Sequence, residues 1–129
     1  MTKSGVINLH GRQYKTVALR VHEFREKHSI EDGWAILTSI VVCNDQTVLM
    51  RCDIVNPSGA TIATGQAEEK RSSRGINASS ALEVCETSAV GRALAAAGYG
   101  GSEYASADEL ASAIGQQRDW GAWSRRRDG

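Results

Sequence analysis

Hydrophobic positions along the chain change period twice. In "TVALRVHEFREKHS", residues 16–29, Val17, Val21 and Phe24 fall at i, i+4 and i+7, one face of a helix that Thr16 can cap. "EDG" breaks this pattern at Gly33. Two β-rich runs follow, "WAILTSIVVC" (34–43) and "TVLMRCDIV" (47–55), joined by "NDQ". "NPSG" then reads as a type I turn, with Pro57 second and Gly59 fourth. "ATIATGQAEEK" (60–70) supplies a third strand, and short connections make the three an antiparallel meander. Upstream, "INLHGRQYK" is a short extended piece with a turn at Gly11.

The meander can be given a register. With Asp45-Gln46 as a two-residue loop, Asn44 faces Thr47, and Leu37, Ser39, Val41 and Cys43 oppose Ile54, Cys52, Met50 and Val48. A four-residue turn at 56–59 sets Thr61, Ala63, Gly65 and Ala67 beside the same four residues. That face is the expected core. The other is half-exposed, mixing Thr38, Arg51, Asp53, Thr64 and Gln66 with Ile36, Ile40, Val42 and Leu49. It is more apolar than a monomer surface needs, which points to subunit packing.

Downstream, "SALEVCETSAVGRALAAAGYG" (80–100) is a helix almost without large side chains. Ser79 or Ser80 can cap it, with Glu83 completing a capping box after Ser80, and Gly98 can end it in the left-handed conformation. Val84, Ser88, Gly91 and Ala95 form a stripe of small residues suited to close approach onto the small third strand, flanked by Leu82, Val90 and Leu94. Ser106 starts a shorter helix with a second capping box through Glu109. These elements predict an α+β fold: a three-stranded antiparallel β-meander packed on a long small-residue helix, a β-β-β-α core, with an N-terminal helix and a short C-terminal helix. Residues 1–117 form the expected single domain, and 118–129 a tail carrying Trp120, Trp123 and Arg125-Arg126-Arg127.

Composition adds limits. A chain of 129 residues suits one core burying roughly two-thirds of its unfolded surface. No apolar run approaches the ~20 residues of a membrane helix, and "MTKSGVINLHG" lacks the apolar segment of a signal peptide. The expected location is the bacterial host cytoplasm. Cys43, Cys52 and Cys85 are odd in number and lack C-x-x-C spacing, so buried thiols are expected. The net charge is zero but unevenly spread. Residues 1–27 hold six Lys/Arg against two acids, and 28–69 hold one against six. "KRSSRG" (70–75) holds three bases and no acid. Local fields of this kind can steer an anion despite a neutral total.

Candidate chemistry narrows from there. His10, His22 and His28 are scattered, the latter two reading as solvated, and neither G-x-S-x-G nor H-E-x-x-H occurs. "GYGG" at 98–101 follows a helix and lacks the Lys-Ser/Thr of a phosphate loop. Glu68, Glu69, Glu83 and Glu86 could gather around a cation, but capping, ion pairing or a solvated face accounts for them as well. No nucleophile sits with a base and an orienting group, so no enzyme and no cofactor is expected. Nucleic-acid binding fares better. Lys70, Arg71 and Arg74, among serines just before a helix N-terminus, offer donors to phosphates, although a solvated loop would look similar. Tyr14, between Arg12 and Lys15, adds an aromatic that could stack on a base. Arg92 can contact phosphate or pair with Glu86 or an acid from another element.

The block "ETSAVGRALAAAGYG", preceded by a meander ending in "ATGQAEEKRSSRGIN", resembles phage single-strand annealing proteins of the essential-recombination-function (ERF) and Sak-like type, with their "E-T-S-A-[IV]-G-R-A-L" helix. More distantly it is similar to the eukaryotic double-strand-break-repair annealing protein, through a "RAL-x-x-x-G" segment. The likeness covers about residues 7–114; its helix block is fairly specific and its strands generic. The resemblance implies a ring- or filament-forming homo-oligomer that binds single-stranded DNA in a basic groove and anneals complementary strands without ATP, in phage recombination and DNA repair. It matches Arg92 to the family's basic helix position and sets Lys70, Arg71 and Arg74 where such proteins approach DNA. A single-strand-binding protein or an exonuclease is the implied protein partner. This chain is shorter than the larger members and neutral overall. The alternative is a non-catalytic oligomeric adaptor that grips a protein partner through its Trp/Arg tail.

Overall fold

The computed structural model describes residues 4–71, 80–111 and 113. Strands β1 (Val6–Leu9) and β2 (Arg12–Lys15) form a small hairpin, and helix α1 (Val17–Lys27) follows. Strands β3 (Ala35–Cys43), β4 (Thr47–Val55) and β5 (Thr61–Lys70) form an antiparallel sheet in the order β3-β4-β5. Helix α2 (Ala81–Leu94) runs into a π-helical turn, Ala95–Tyr99, and residues 107–111 are helical again. The predicted α+β architecture is the observed one, with the β1–β2 hairpin added.

Several local signals act as expected. Thr16 accepts a hydrogen bond from the Leu19 N–H (3.2 Å) and caps α1. Ser106 does the same for Glu109 N–H (3.1 Å). Gly98 takes a φ of 99°, and this left-handed residue closes the helical run. Ser80 differs: its side chain makes no capping bond, and Ser79 lies outside the described residues. The α1 start has a second cap from far away, because the Asp108 carboxylate accepts from the Val17 N–H (2.7 Å).

The register departs from the simple expectation at three bulged positions. Next to the Asp45-Gln46 loop, Cys43 opposes Val48 as predicted. An extra residue at Val41 then shifts β3 by one, so Ile36, Thr38 and Ile40 oppose Ile54, Cys52 and Met50. A one-residue shift exchanges faces. Leu37 is therefore 54% exposed, while Ile36 packs against the core. On the other side the slip is two. The Gly59 N–H donates to Asn56 O (2.9 Å) with Gly59 at φ 87°, giving a type I turn with an added left-handed residue. Ile62 is a further unpaired residue between the Val55–Thr61 and Ile54–Ala63 pairs. Two insertions preserve the face, so Ala63, Gly65 and Ala67 still point inward, each one pair further along than predicted.

The core joins Phe24 of α1 and Val48, Met50, Cys52 and Ile54 of β4 to Ala81, Cys85, Ala89, Ala93 and Leu94 of α2. The helix stripe on the sheet is thus 81/85/89/93, one turn-face round from the expected 84/88/91/95. A Cβ built on Gly65 would run into the Ala93 backbone and lie 2.6 Å from Ala89 O, so β5 and α2 meet backbone to backbone. Gly91 serves a different neighbour: its Cβ would lie 2.7 Å from Val17 Cγ2 of α1. The small stripe is a two-sided device, with one glycine for the strand and one for the helix.

Because α2 sits over β5 and β4, part of β3 is left uncovered. Ile40 faces the helix side yet is 55% exposed, beside a cleft of about 390 Å³ formed with Thr38, Met50, Leu82 and Glu86. The opposite sheet face carries Leu37, Val42 and Leu49 with the Arg51–Asp53 pair (2.9 Å), to which Thr64 also donates (3.0 Å). The bond from Arg51 is the main reason that the Asp53 carboxyl is held below its usual range.

All three cysteines are thiols, and their settings differ. Burial pushes Cys52 up to about 12, and Cys85, whose Sγ lies 3.2 Å from Ala67 O, is also raised by burial. Cys43 is exposed, against the expectation of three buried thiols: it pairs with Val48 as predicted, but it lies at the end of β3, the strand that α2 leaves largely uncovered. A thiol reagent at pH 8 should therefore modify Cys43 alone in the native protein, and Cys52 and Cys85 only after denaturation. Fast reaction of a second thiol would contradict this packing.

Candidate nucleic-acid interface

The basic candidates fall into separate groups. At the end of β5, Lys70 is exposed opposite Thr47 and makes no ion pair among the described residues. Arg71 is fastened to the β3–β4 hairpin tip: its N–H donates to Gln46 O (2.9 Å) and its Nε to Asn44 O (2.7 Å). Its Nη2 reaches Cys43 Sγ at 3.5 Å. Asn44 in turn orders the tip by accepting from the N–H groups of Gln46 (2.8 Å) and Thr47 (2.9 Å). A short Asx turn thereby holds an arginine at the point where the chain leaves the sheet. Arg74, the third member of this run, lies outside the described residues.

The N-terminal candidates are on the β1–β2 hairpin, and their charges are partly answered. Arg12 Nη1 lies 3.4 Å from Glu103 Oε1, and Lys15 Nζ lies 2.8 Å from Glu23 Oε1. Tyr14, between them, is half-buried. Arg92, in the last turn of α2, pairs with Glu109 (3.2 Å) and stacks over Tyr104, its Cζ 5.2 Å from the ring centroid. The carboxylate partner is Glu109 and not Glu86, which instead accepts from Thr38 Oγ1 (2.8 Å). Lys70 and Arg71 share the start of the β5–α2 connection, whereas Arg92 lies near the far end of a helix ~20 Å long.

Acids are segregated as well. A cleft of about 800 Å³ between α2 and residues 107–111 is rimmed by Glu69, Glu83, Asp108 and Glu109. Glu68 and Glu69 point to opposite faces of β5. No group of three or more His, Cys, Asp or Glu side chains among the described residues is placed to hold a metal ion.

Two features were not anticipated from sequence. Arg20 is fully buried on the apolar face of α1, donating to Gly91 O (2.8 Å), Tyr104 O (3.1 Å) and Ala105 O (3.0 Å). Burial lowers its pKa, and the charges of Glu109 and Asp108 oppose that shift. The signal was there to see: Arg20 sits three residues after Val17 and four before Phe24, within the apolar stripe. His28 is the other. It is half-buried and tilted against Trp34 (4.2 Å) and Phe24 (4.9 Å), because α1 ends at Lys27 and the chain turns inward there. The exposed His22 fits its expected solvated setting, 2.9 Å from Glu26.

The unit from α1 to α2 has the order α-β-β-β-α, and residues 21–97, more than half of the chain, match one protein family. The chain belongs to the Slr1353 N-terminal dsRNA-binding domain-like family. The family's description speaks for nucleic-acid binding in general. Its matched span contains Lys70, Arg71, Arg74 and Arg92 and leaves the β1–β2 hairpin, with Arg12, Tyr14 and Lys15, outside. No curated protein and no solved structure matched the chain. No helix among the described residues is long and apolar enough to cross a membrane.

Proposed function

We propose that this chain binds nucleic acid through backbone phosphates, with single-stranded DNA as the preferred form, and anneals complementary strands as a homo-oligomer without ATP. The observation that carries the nucleic-acid part is Arg71, fixed on the hairpin tip at the exit of the sheet with exposed Lys70 beside it, in a family described as dsRNA-binding domain-like. Phosphate contacts of this type position a strand without reading its sequence. The preference for single strands, and the setting in phage-type recombination with a single-strand-binding protein or exonuclease as partner, rest on the "ETSAVGRAL" likeness. Oligomer formation is supported by the exposed apolar side chains Leu37 and Val41 of β3 and Ile62 of β5. The second reading is duplex RNA, which the family description favours.

Labelled single-stranded DNA, duplex DNA and duplex RNA, titrated at rising salt, separate these readings. On single strands, log affinity should fall linearly with log salt, by about 0.7 per neutralised phosphate. Lys70→Ala should weaken binding several-fold whatever the base sequence and flatten that slope by roughly 0.7. Tight binding confined to duplex RNA would favour the second reading. Absence of binding to all three at low salt would end both.

A further inference from the structure

We infer that Tyr104 is a stacking platform for an unpaired base, and that Arg92 braces its ring from one side. This rests on the nucleic-acid reading above and names a residue that reading did not contain. Tyr104 is 47% exposed and stands outside the hydrophobic core. The loop that carries it is nonetheless held at both ends. On one side Glu103 N–H donates to Gln13 O (3.3 Å), and Ser102 Oγ accepts from Gln13 N–H (2.7 Å). Gly101 presses so closely on the Gln13 carbonyl that a Cβ there would overlap it. On the other side, buried Arg20 grips the carbonyls of Tyr104 and Ala105.

These ties act on the backbone, so any residue at position 104 would satisfy them. What tyrosine adds is a flat ring in a fixed, exposed position. Arg92 stacks over that ring with its Cζ 5.2 Å away and is itself held by Glu109. Just before Tyr104 in the chain, Glu103 holds the exposed Arg12 at 3.4 Å. An aromatic ring with one guanidinium stacked on it, and a second held by the residue before it, suits a single strand, whose bases present π-faces and whose phosphates can draw arginines from carboxylates. A duplex keeps its bases stacked on one another and offers no such face.

The test compares two single-stranded probes of equal length and charge, oligo-dT and an abasic oligonucleotide, on the full-length chain. The wild type should prefer oligo-dT by about tenfold, within the range for stacking one base. Tyr104→Ala should bring that ratio close to one, while Tyr104→Phe keeps it, and the salt dependence should stay the same in all three. The ratio is taken within each variant, so a partly unfolded preparation does not distort it. Tyr104→Leu, which keeps apolar bulk beneath Arg92, replaces the alanine variant if that one does not fold, and it too should lose the preference. A wild type that binds both probes equally overturns the platform, as does a Tyr104→Ala or Tyr104→Leu variant that keeps the preference. A Tyr104→Phe variant that loses it overturns ring stacking as well. In each of those cases the nucleic-acid reading stands; binding of neither probe, nor of duplexes, removes that reading itself.

Discussion

Gly65→Ala should cost ~3 kcal/mol or more and lower the melting temperature by roughly 10 °C, a large effect for one methyl group. The cause is geometric. The new Cβ would overlap the Ala93 backbone and lie 2.6 Å from Ala89 O, and neither can rotate away as a side chain would. Relief requires α2 to lift from β5, which loosens Cys85 from Ala67 O and opens the core around Leu94. Gln66→Ala, one residue on and facing outward, should stay within about 0.5 kcal/mol of the wild type. Urea denaturation of the two variants measures both. A Gly65→Ala protein within 1 kcal/mol of the wild type, at the scale of ordinary surface changes, would mean that α2 does not approach β5 in this way.

Arg20→Met is the second large effect, expected to destabilise by about 3–5 kcal/mol. Methionine fills much of the same volume but leaves the buried Gly91 carbonyl, and the part-buried carbonyls of Tyr104 and Ala105, without the donor they share. It also removes the positive charge that faces Asp108 and Glu109. Arg20→Lys should recover part of the loss, since one ammonium cannot reproduce the fork that spans three carbonyls. The damage should be uneven: amide exchange should rise most in residues 101–111, which Arg20 ties to α1 and α2. Burying an arginine carries its own desolvation cost, so the opposite sign is physically available. A methionine variant as stable as the wild type would show that this cost outweighs the three bonds.

Both predictions depend on contacts between distant parts of the chain, and this separates what was legible from what was not. Near the Asp45-Gln46 loop, the pairing of Cys43 with Val48 could be read directly, because a two-residue turn sets register over the next few residues. Two residues further back the reading failed at the Val41 bulge. No residue type announces that bulge, and one inserted residue exchanges the faces of Ile36 and Leu37. The β5 error was milder because two insertions, at Gly59 and Ile62, cancel in their effect on the face.

The candidate site divides in the same way. Lys70 and Arg71 could be found from charge alone, and the structure adds that Arg71 is held by the hairpin tip. Arg92 could be found too, but its partner Glu109 is 17 residues away and its ring partner Tyr104 was not singled out.

By itself the sequence determined the helices and strands, the Thr16 and Ser106 caps, the meander order and the need for a close helix–strand approach. All of these follow from local chemistry: side-chain period, turn residues and hydroxyl caps act over a few positions. Only the tertiary structure decided which glycine meets which neighbour. Gly65 lies against α2 and Gly91 against Val17, a residue 74 positions away along the chain. It also decided that Arg20 turns inward to hold the Tyr104 loop, because three carbonyls from two other segments converge on its buried guanidinium. Such convergence is a property of packing between elements, and no window of the sequence contains it.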